Sequence, residues 1–475
     1  MFDTLDKIVS TASHFLYNGP YDCVPFVLIL LIFGGVVFTF RTRQVQITML
    51  GEAFRVILEK PQGKNANSSF GALMVSTASK VGTGNIVGVA TAICLGGIGA
   101  IFWMWVTAII GGASAFVEST LAQIYKRRNE DGSCYGGPAY YIDQALGKHW
   151  LGVVFSILVI ATYAVGDNAV TAYNVQSIFM QFSFYDYTTP YIIGAIMAVL
   201  FAVCVLGGGA RLTKVCEVLV PFMGIAYVLV SAWVIITNIT ALPQALKLMF
   251  ADAFDFKAIS SGFAGSCLMY GLKRGLYSNE AGVGSAPNVA ATADVSHPAK
   301  QGLVQALAVY LDTLLICTAT AMICLLSGVD PSQFSEGGAF IQVAMNTLFG
   351  QLGPIFLAVA LVLFAFTTLI GDYAFCEGCL RFICGNKPGP RFLLGFRLFC
   401  SALVMLGSIA SLALAWNMID LLQGIMILVN MPVILILGTT AVRCLEDYRR
   451  QRAEGKEPVF RSADIGLKEK TDYWV

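Results

Sequence analysis

The feature that most constrains the fold of this chain is a pair of apolar segments that glycines interrupt near their middle. One contains VGTGNIVG at 81–88, and the other contains SGFAGS at 261–266. Because a helix in lipid must satisfy its own backbone groups, glycines at mid-depth indicate a break that frees N–H and C=O groups for a solute or an ion. Two such segments in the two halves of a chain with many spans indicate a secondary transporter.

Composition places the whole chain in a lipid bilayer. Of its 475 residues, 57% are hydrophobic and 12% are charged, whereas soluble domains are about 25% charged. The mean hydropathy is +0.72, and the net charge of +1 indicates no nucleic-acid partner. Most of the 13 cysteines lie in apolar runs, and Cys376 and Cys379 have no second pair that would complete a metal site. We therefore expect no cofactor.

Eleven apolar stretches approach or exceed the length of about 20 residues that crosses a bilayer. Numbered as spans 1 to 11, they are 22–40, 70–94, 98–124, 151–180, 190–207, 215–238, 257–274, 301–327, 353–376, 393–415 and 417–441. With the N-terminus outside, only Lys7, Lys247 and Lys257 of the 30 lysines and arginines lie outside the cell, and Lys80 lies within span 2. Basic residues concentrate in cytoplasmic loops. We therefore expect a plasma-membrane protein with an outer N-terminus and a cytoplasmic C-terminus.

The interrupted spans are the second and the seventh, so spans 2–6 and 7–11 form two sets of five that each begin with a broken member. Since five is odd, the second set enters from the opposite face, and the two sets are inverted repeats. This predicts an all-α membrane protein with a LeuT-type 5+5 inverted repeat and one extra N-terminal helix. Its predicted parts are an outer N-terminus with span 1 and an interfacial helix (1–65), the first repeat (66–240), the second repeat (241–443) and a charged cytoplasmic tail (444–475).

The first break supplies the candidate residues for binding a carboxylate. An unwound turn at Gly82, Thr83, Gly84 and Asn85 exposes successive N–H groups, and the following half-helix points its positive end at the same place. Thr83 adds a hydroxyl and Asn85 adds an amide. The alternative is close helix packing through Gly84 and Gly88, which are spaced as small residues at helix interfaces are.

A hydroxyl pair in span 9 is a candidate for an alkali ion. Thr367 and Thr368 are adjacent in LVLFAFTTLIG, and hard oxygen atoms are the ligands that such an ion requires. The alternative is that each hydroxyl bonds back to a carbonyl of its own helix.

Charged residues inside the spans are costly in lipid and usually functional. Lys80 immediately precedes the break, and acidic side chains lie in spans 4, 8 and 9 at Asp167, Asp312 and Asp372. Lys80 either forms a structural ion pair with an acid on a neighbouring helix or modulates the coupling ion. Glu118 and Glu217 lie nearer the cytoplasmic ends, where long side chains reach the interface.

Several motifs identify a family. SKVGTGNIVGVATAI, GGPAYYI, GFAGS, HPAKQGL, LDTLLICT and above all RGLYSNEAGVGSAP resemble the alanine or glycine:cation symporter family, within the amino acid–polyamine–organocation superfamily. The resemblance covers nearly the whole chain. It implies sodium-coupled symport of a small neutral amino acid by alternating access.

The resemblance also implies the site residues. The N–H groups of Thr83 and Gly84 would take the substrate carboxylate, and carbonyl groups of Ala264 and Gly265 at the second break would take its amine. Sodium would lie between the first break and span 9, held by backbone groups and hydroxyls of Ala78, Val81, Phe364, Thr367 and Thr368.

Two positions depart from the family pattern. Asp372 stands where many members carry Trp, and Ala172 stands where many carry Gln. Both would face the substrate side chain, so the pocket should be wider and more polar, which favours a larger polar substrate such as glutamine or serine. The SNEAGVGSAP segment is expected as a cytoplasmic loop, acting either as a simple turn or, with Arg274 and Glu280, as an inner gate.

Other functions remain as alternatives at this stage. A proton-coupled or sodium-independent amino-acid transporter would use the same fold. A membrane enzyme is disfavoured, because His14, His149 and His297 fall outside the spans and no zinc or Ser-His signature is present. A channel would repeat polar positions along a pore, whereas this chain concentrates its irregularities at two breaks. We expect a monomer.

Overall fold

The structure, a computed structural model, describes residues 2–19, 25–61, 63, 67–129, 132–257, 265–385, 388–467 and 471–474. This part of the chain is mostly helical. Its α-helices are α1 (Phe2–Asn18), α2 (Phe26–Arg41), α3 (Val45–Thr48), α4 (Leu50–Ile57), α5 (Ser69–Lys80), α6 (Val89–Gly96), α7 (Ala100–Ile124), α8 (Pro138–Leu146), α9 (His149–Ile160), α10 (Asn168–Ile178), α11 (Thr189–Val205), α12 (Gly209–Thr237), α13 (Leu242–Ala253), α14 (Cys267–Asn279), α15 (Pro287–Ala290), α16 (Pro298–Val309), α17 (Thr318–Leu326), α18 (Gly337–Phe349), α19 (Leu352–Ile383), α20 (Pro390–Gly407) and α21 (Leu412–Ala453). Strands β1 (Arg127–Arg128) and β2 (Cys134–Tyr135) form a short antiparallel hairpin.

The described residues contain eight helices that are long and apolar enough to cross a membrane, and a bent pair makes a ninth. Helix α2 is apolar but has only 16 residues. Helix α14 has 13 residues and follows 258–264, which lie outside the described part. The count of eleven spans therefore stays a prediction, although a helix lies at each predicted position.

Span 2 is broken where the sequence predicts. Helix α5 ends at Lys80, the axis bends by 52°, and helical structure resumes at Gly84 as a π-helical turn that leads into α6. The break lies directly against α19, since a Cβ atom added at Gly82 would fall 2.2 Å from Thr368 Oγ1. Only glycine fits this approach.

Two further π-helical turns interrupt long helices. They cover Ala161–Asp167, between α9 and α10, and Tyr310–Cys317, between α16 and α17. Each contains a buried aspartate, Asp167 or Asp312. Such turns occur frequently at functional sites.

Helix α14 packs tightly on α7 through small residues. A Cβ at Gly271 would lie 2.4 Å from the carbonyl oxygen of Ala100, and one at Gly275 would lie 2.3 Å from Thr107 Oγ1. Glycines at such contacts let two helix backbones approach closely. The two helices therefore form one tightly packed unit.

The SNEAGVGSAP segment, predicted as a cytoplasmic loop, is a buried turn. It is buried throughout, and it bends where Glu280, Gly282 and Gly284 take φ angles of 54°, 85° and 91°. Two of its backbone groups bond inside the protein, since Gly282 N donates to Glu118 and Gly282 O accepts from Asn430. The segment is therefore an interior break between α14 and α15.

The remaining predicted segments form helices and ordered chain. Segment 42–65 contains two short helices, α3 and α4, and α4 ends at Ile57, before Pro61. The described part of 444–475 continues α21 to Ala453 and then packs on the bundle, with Phe460 and Trp474 buried.

Candidate functional site

The first break meets the end of α14, and Asn85 joins the two. Its side-chain oxygen accepts from Gly82 N at 2.9 Å, and its side-chain nitrogen donates to Asp312 at 2.6 Å and to Ser278 at 3.1 Å. Its carbonyl oxygen accepts from Thr320 Oγ1 at 2.7 Å. The Asn85 amide therefore fixes the shape of the first break.

Thr83 and Gly84 face the opposite wall of the site. Thr83 Oγ1 accepts a hydrogen bond of 2.9 Å from Asn174 of α10. A Cβ at Gly84 would lie 2.3 Å from the ring of Tyr277, so the backbone at Gly84 is in contact with that aromatic ring. The predicted carboxylate residues are thus enclosed by α10 and α14.

Helix α14 lies along the first break and α6. The facing pairs run along α14: Tyr270 meets Gly96, Tyr277 meets Gly84, and Ser278 meets Asn85.

Gly265, predicted to lie at the second break, is away from these contacts. It is exposed, with no atom within 4 Å of a Cβ built on it. It lies 13 residues before Ser278 along the chain, which corresponds to about 20 Å of helix. The structure does not bring Gly265 to these contacts, so its role at the predicted second break stays a prediction, and Ala264 lies outside the described residues. Helical structure is next interrupted at 280–286, directly after α14, and we call this turn the second break.

The predicted sodium residues lie where α5 ends against α19. Ala78, Val81 and Phe364 are buried, and a Cβ at Gly371 would lie 2.5 Å from Ser79 N. Thr367 and Thr368 both donate to the carbonyl oxygen of Phe364, at 3.0 and 2.9 Å. The hydroxyls therefore bond back within their helix, as the alternative interpretation stated, and Thr368 at the same time touches the break at Gly82.

Lys80 is buried beside carboxylates but forms no hydrogen bond within the described chain. The acidic groups that act on it are Glu280, Asp312 and Glu118. Asp372 is not among them. Lys80 lies among several acids around both breaks.

Asp372 and Ala172 line different parts of this region. Asp372 Oδ1 accepts from Ser79 Oγ at 2.6 Å, one residue before Lys80. Ala172 is buried in α10, two residues before Asn174. Asp167, at the start of α10, accepts a hydrogen bond of 2.5 Å from the Tyr277 hydroxyl.

A cavity of about 300 Å³ opens above the site, between α6, α10, α14, α18 and α21. Its lining includes Asn174, Arg274, Glu336 and Trp416. Arg274 forms a buried ion pair with Asp420 at 3.2 Å and lies over the Trp416 ring at 4.1 Å.

Trp416 in turn packs edge-on against Tyr277, with ring centroids 5.0 Å apart. Because Tyr277 touches Gly84, these side chains form a wall between the cavity and the first break. Asn174, which lines the cavity and donates to Thr83, connects the two regions on the other side.

Sequence reasoning missed Tyr277, Trp416 and the Arg274–Asp420 pair. Asp420 was detectable, since it is an acidic residue within predicted span 11. The aromatic residues gave no local signal, because their role depends on contacts between distant parts of the chain.

Comparison with known proteins shows the family of this chain. The family model for the sodium:alanine symporter family matches residues 2–462. The amino-acid carrier protein AlsT of Bacillus subtilis is 43% identical, covering 95% of this chain and 96% of its own. The probable sodium/glutamine symporter GlnT of the same organism is 41% identical over 97% and 94%, and the sodium/alanine symporter AgcS of Methanococcus maripaludis is 34% identical over 94% and 99%.

Solved structures show the fold. The crystal structure of MhsT in complex with L-phenylalanine aligns with a TM-score of 0.55 at 14% identity, covering 86% of this chain and 92% of that one. A manganese transporter of Eremococcus coleocola aligns with a TM-score of 0.53 at 16% identity, covering 88% and 84%. The predicted LeuT-type fold, the transporter class and sodium as coupling ion are confirmed. With a match to its family model across nearly its full length, the chain belongs to the sodium:alanine symporter family.

Proposed function

We propose that this sodium-coupled amino-acid symporter binds its substrate between the two breaks and its sodium ion between α5 and α19. The observation that carries the proposal is the meeting of Gly82–Asn85 with the end of α14 through Asn85, Ser278 and Tyr277. Backbone freed from helices at mid-depth, with two helix ends converging on it, suits a zwitterion and a cation.

The substrate carboxylate lies at Thr83 and Gly84 in this proposal. The half-helix that starts at Gly84 directs its positive end there, and the Thr83 hydroxyl is already oriented by Asn174. The amine lies toward the carbonyl groups of the second break at 280–286. This replaces the role first given to Ala264 and Gly265, since Gly265 is distant from the first break.

Sodium lies between the end of α5, at Ala78 and Val81, and the carbonyl and hydroxyl oxygens of α19, at Phe364, Thr367 and Thr368. Binding requires the two threonine hydroxyls to turn their oxygen atoms from the helix toward the ion. The close contact between Gly82 and Thr368 supports this placement. An ion bridging α5 and α19 would hold together two helices that must separate when the site opens inward.

The substrate side chain meets Asp372 and Ala172 in this arrangement. A wide, polar pocket favours glutamine or serine over alanine, and the names of the relatives include both alanine and glutamine carriers. Tyr277 and Trp416 limit the space for an aromatic side chain of the substrate on the outer side of the pocket.

We also propose that one chain contains the whole path, with its N-terminus outside and its C-terminus in the cytoplasm. Both breaks, α10 and α19 come from a single chain, so no second copy completes the site. The 5+5 repeat boundaries at 66–240 and 241–443 follow from the same topology.

Counterflow in proteoliposomes tests the function. Vesicles loaded with unlabelled glutamine, serine or alanine should accumulate the labelled amino acid when sodium is present, and sodium replaced by choline should stop accumulation. We expect glutamine or serine to exchange faster than alanine. Faster exchange of alanine would remove the specificity role of Asp372 and Ala172, and sodium-independent exchange would remove the sodium site.

A further inference from the structure

Two buried carboxyl groups meet beside the first break. Asp167 of the π-helical turn before α10 and Asp372 of α19 are 4% and 1% exposed. The π-helical turn that holds Asp167 packs against α19, where the Tyr163 ring lies edge-on to Phe375 with centroids 5.2 Å apart, and the Asp167 and Asp372 carboxyl groups act directly on each other. Tyr277 donates to Asp167, and Ser79 donates to Oδ1 of Asp372.

No positive charge compensates this pair within the described chain. Neither carboxyl forms an ion pair with a lysine, arginine or histidine there, and Arg274 is taken by Asp420. Lys80, as described above, is acted on by other acids. The second oxygen of Asp372 is buried without a hydrogen-bond partner.

The other titratable groups around the pair are neutral or acidic. Tyr277 approaches from α14, Tyr163 from the same turn as Asp167, Cys376 from α19, and Glu280 from the second break. Glu280 adds a further negative charge when it is ionised. The surroundings therefore oppose two negative charges on the pair.

A shared proton resolves this conflict. Two carboxylates a few ångströms apart in a medium of low dielectric constant do not both ionise, and one proton between them replaces repulsion by a hydrogen bond. It also satisfies the unpartnered oxygen of Asp372. Each remaining donor, Tyr277 or Ser79, then has an ionised or hydrogen-bonded acceptor.

We propose that Asp167 and Asp372 share one proton and form a proton-binding site of this symporter. The proton exchanges with water and no other bond changes. Through Tyr277, which is bonded to Asp167 and touches Gly84, the pair is linked to the backbone that the proposed function assigns to the substrate carboxylate. Loss of the proton drives the carboxylates apart and displaces Tyr277, so we infer that sodium-driven uptake falls as pH rises.

Infrared difference spectroscopy tests the shared proton without requiring transport. Purified protein in lipid, compared between pH 6 and pH 9, should show a protonated-carboxyl band that disappears at the higher pH. Asp372→Asn and Asp167→Asn should each abolish that band. Asp312→Asn is the matched control, because Asp312 is equally buried but accepts from Asn85, Ser278 and Thr313, and the band should persist in it.

Several outcomes would overturn the proposal. A band that survives both Asp167→Asn and Asp372→Asn assigns the proton elsewhere. A band that responds to sodium at fixed pH, and not to pH at fixed sodium, indicates a sodium ion between the carboxylates. If one variant fails to fold, as judged by its size-exclusion profile, the infrared band of the other variant tests the proposal.

Uptake measurements separate this proposal from the proposed function on which its role rests. In proteoliposomes with a fixed sodium gradient, wild-type uptake should decline several-fold from pH 6 to pH 9, and the decline should flatten in Asp372→Asn. If counterflow fails in the wild type but the infrared band behaves as expected, the proposed substrate site is contradicted. The shared proton is then still supported.

Discussion

At the scale of single residues, the site depends on glycines that leave room for a neighbouring side chain. Gly84 and Gly88 lie one helical turn apart on the same half-helix, but their surroundings differ. A Cβ at Gly84 would lie 2.3 Å from the Tyr277 ring, whereas one at Gly88 would lie 3.5 Å from Trp416, an ordinary contact. This difference provides an internal control.

We expect Gly84→Ala to abolish most sodium-driven uptake, and Gly88→Ala to keep it. The added methyl group at Gly84 must displace Tyr277 or the backbone of the break, and a shift of about 1 Å near a binding centre can cost about a hundredfold in rate. Initial rates in proteoliposomes at matched protein content measure both variants. Equal rates in the two would remove Gly84 from the substrate site.

Thr368→Ala should raise the sodium concentration for half-maximal uptake several-fold, because it removes one oxygen ligand where α19 touches Gly82. Thr368→Ser retains the hydroxyl and should stay near the wild-type value. A sodium titration of uptake at saturating substrate distinguishes them. The same titration curve in all three proteins would place sodium elsewhere.

At this scale the sequence predicts the break in span 2, and there is a physical reason why it does not predict the hydrogen bonds made there. The positions 82–85 and the adjacent Lys80 follow from local pattern. The structure then gives Asn85 a different task, since its amide is used by Asp312 and Ser278 rather than left for a solute. That task depends on partners about 190 to 230 residues away, which no local pattern contains.

At the scale of helices, the SNEAGVGS segment shows why the surroundings of a motif are hard to predict. Both SGFAGS and SNEAGVGS contain glycines in an otherwise continuous stretch. The second is predicted as a cytoplasmic loop, and in the structure it is buried and its Gly282 backbone bonds to Glu118 and Asn430. Hydropathy records what a residue costs in lipid and carries no information about a buried partner.

The ion pair between α14 and α21 leads to a stability prediction. Arg274 and Asp420 are both buried, at 3.2 Å, and removing one partner of such a pair leaves an uncompensated charge that costs about 3–5 kcal/mol. Asp420→Asn should therefore lower the unfolding temperature in detergent. The double variant Arg274→Met with Asp420→Leu should recover part of the loss, and additive losses would contradict coupling between the two residues.

At the scale of the whole molecule, the chain after α21 packs against the ends of other helices. Trp474 Nε1 donates to the carbonyl oxygen of Gln123 at 2.8 Å, and Phe460 N donates to Ser296 O. The Lys126 ammonium lies 4.0 Å from the centroid of the Tyr473 ring. The sequence predicts a charged tail here, and in the structure the aromatic residues of this tail make its packing contacts with the helices.

Burial under this segment lowers the pKa of Lys126 to about 8, from about 10.4 for a free lysine. The unfolded state therefore binds more protons between these values, and stability from this group rises as pH increases from about 8 toward 10.4. Thermal unfolding across that range should show a rise in the wild type that Lys126→Met reduces. Lys214→Met, at an exposed position, should leave the rise intact.

The glycine contacts between α14 and α7 have a consequence for how this sequence can diverge. A mutational scan should tolerate almost nothing at Gly271 and Gly275, because any side chain there meets backbone or Thr107 within 3 Å. Lipid-facing positions of α12, such as Phe222 and Trp233, are 64% and 59% exposed and should accept most apolar residues. Substitutions should therefore accumulate on the outer surface of the bundle during evolution. The residues between α14 and α7 should change slowly.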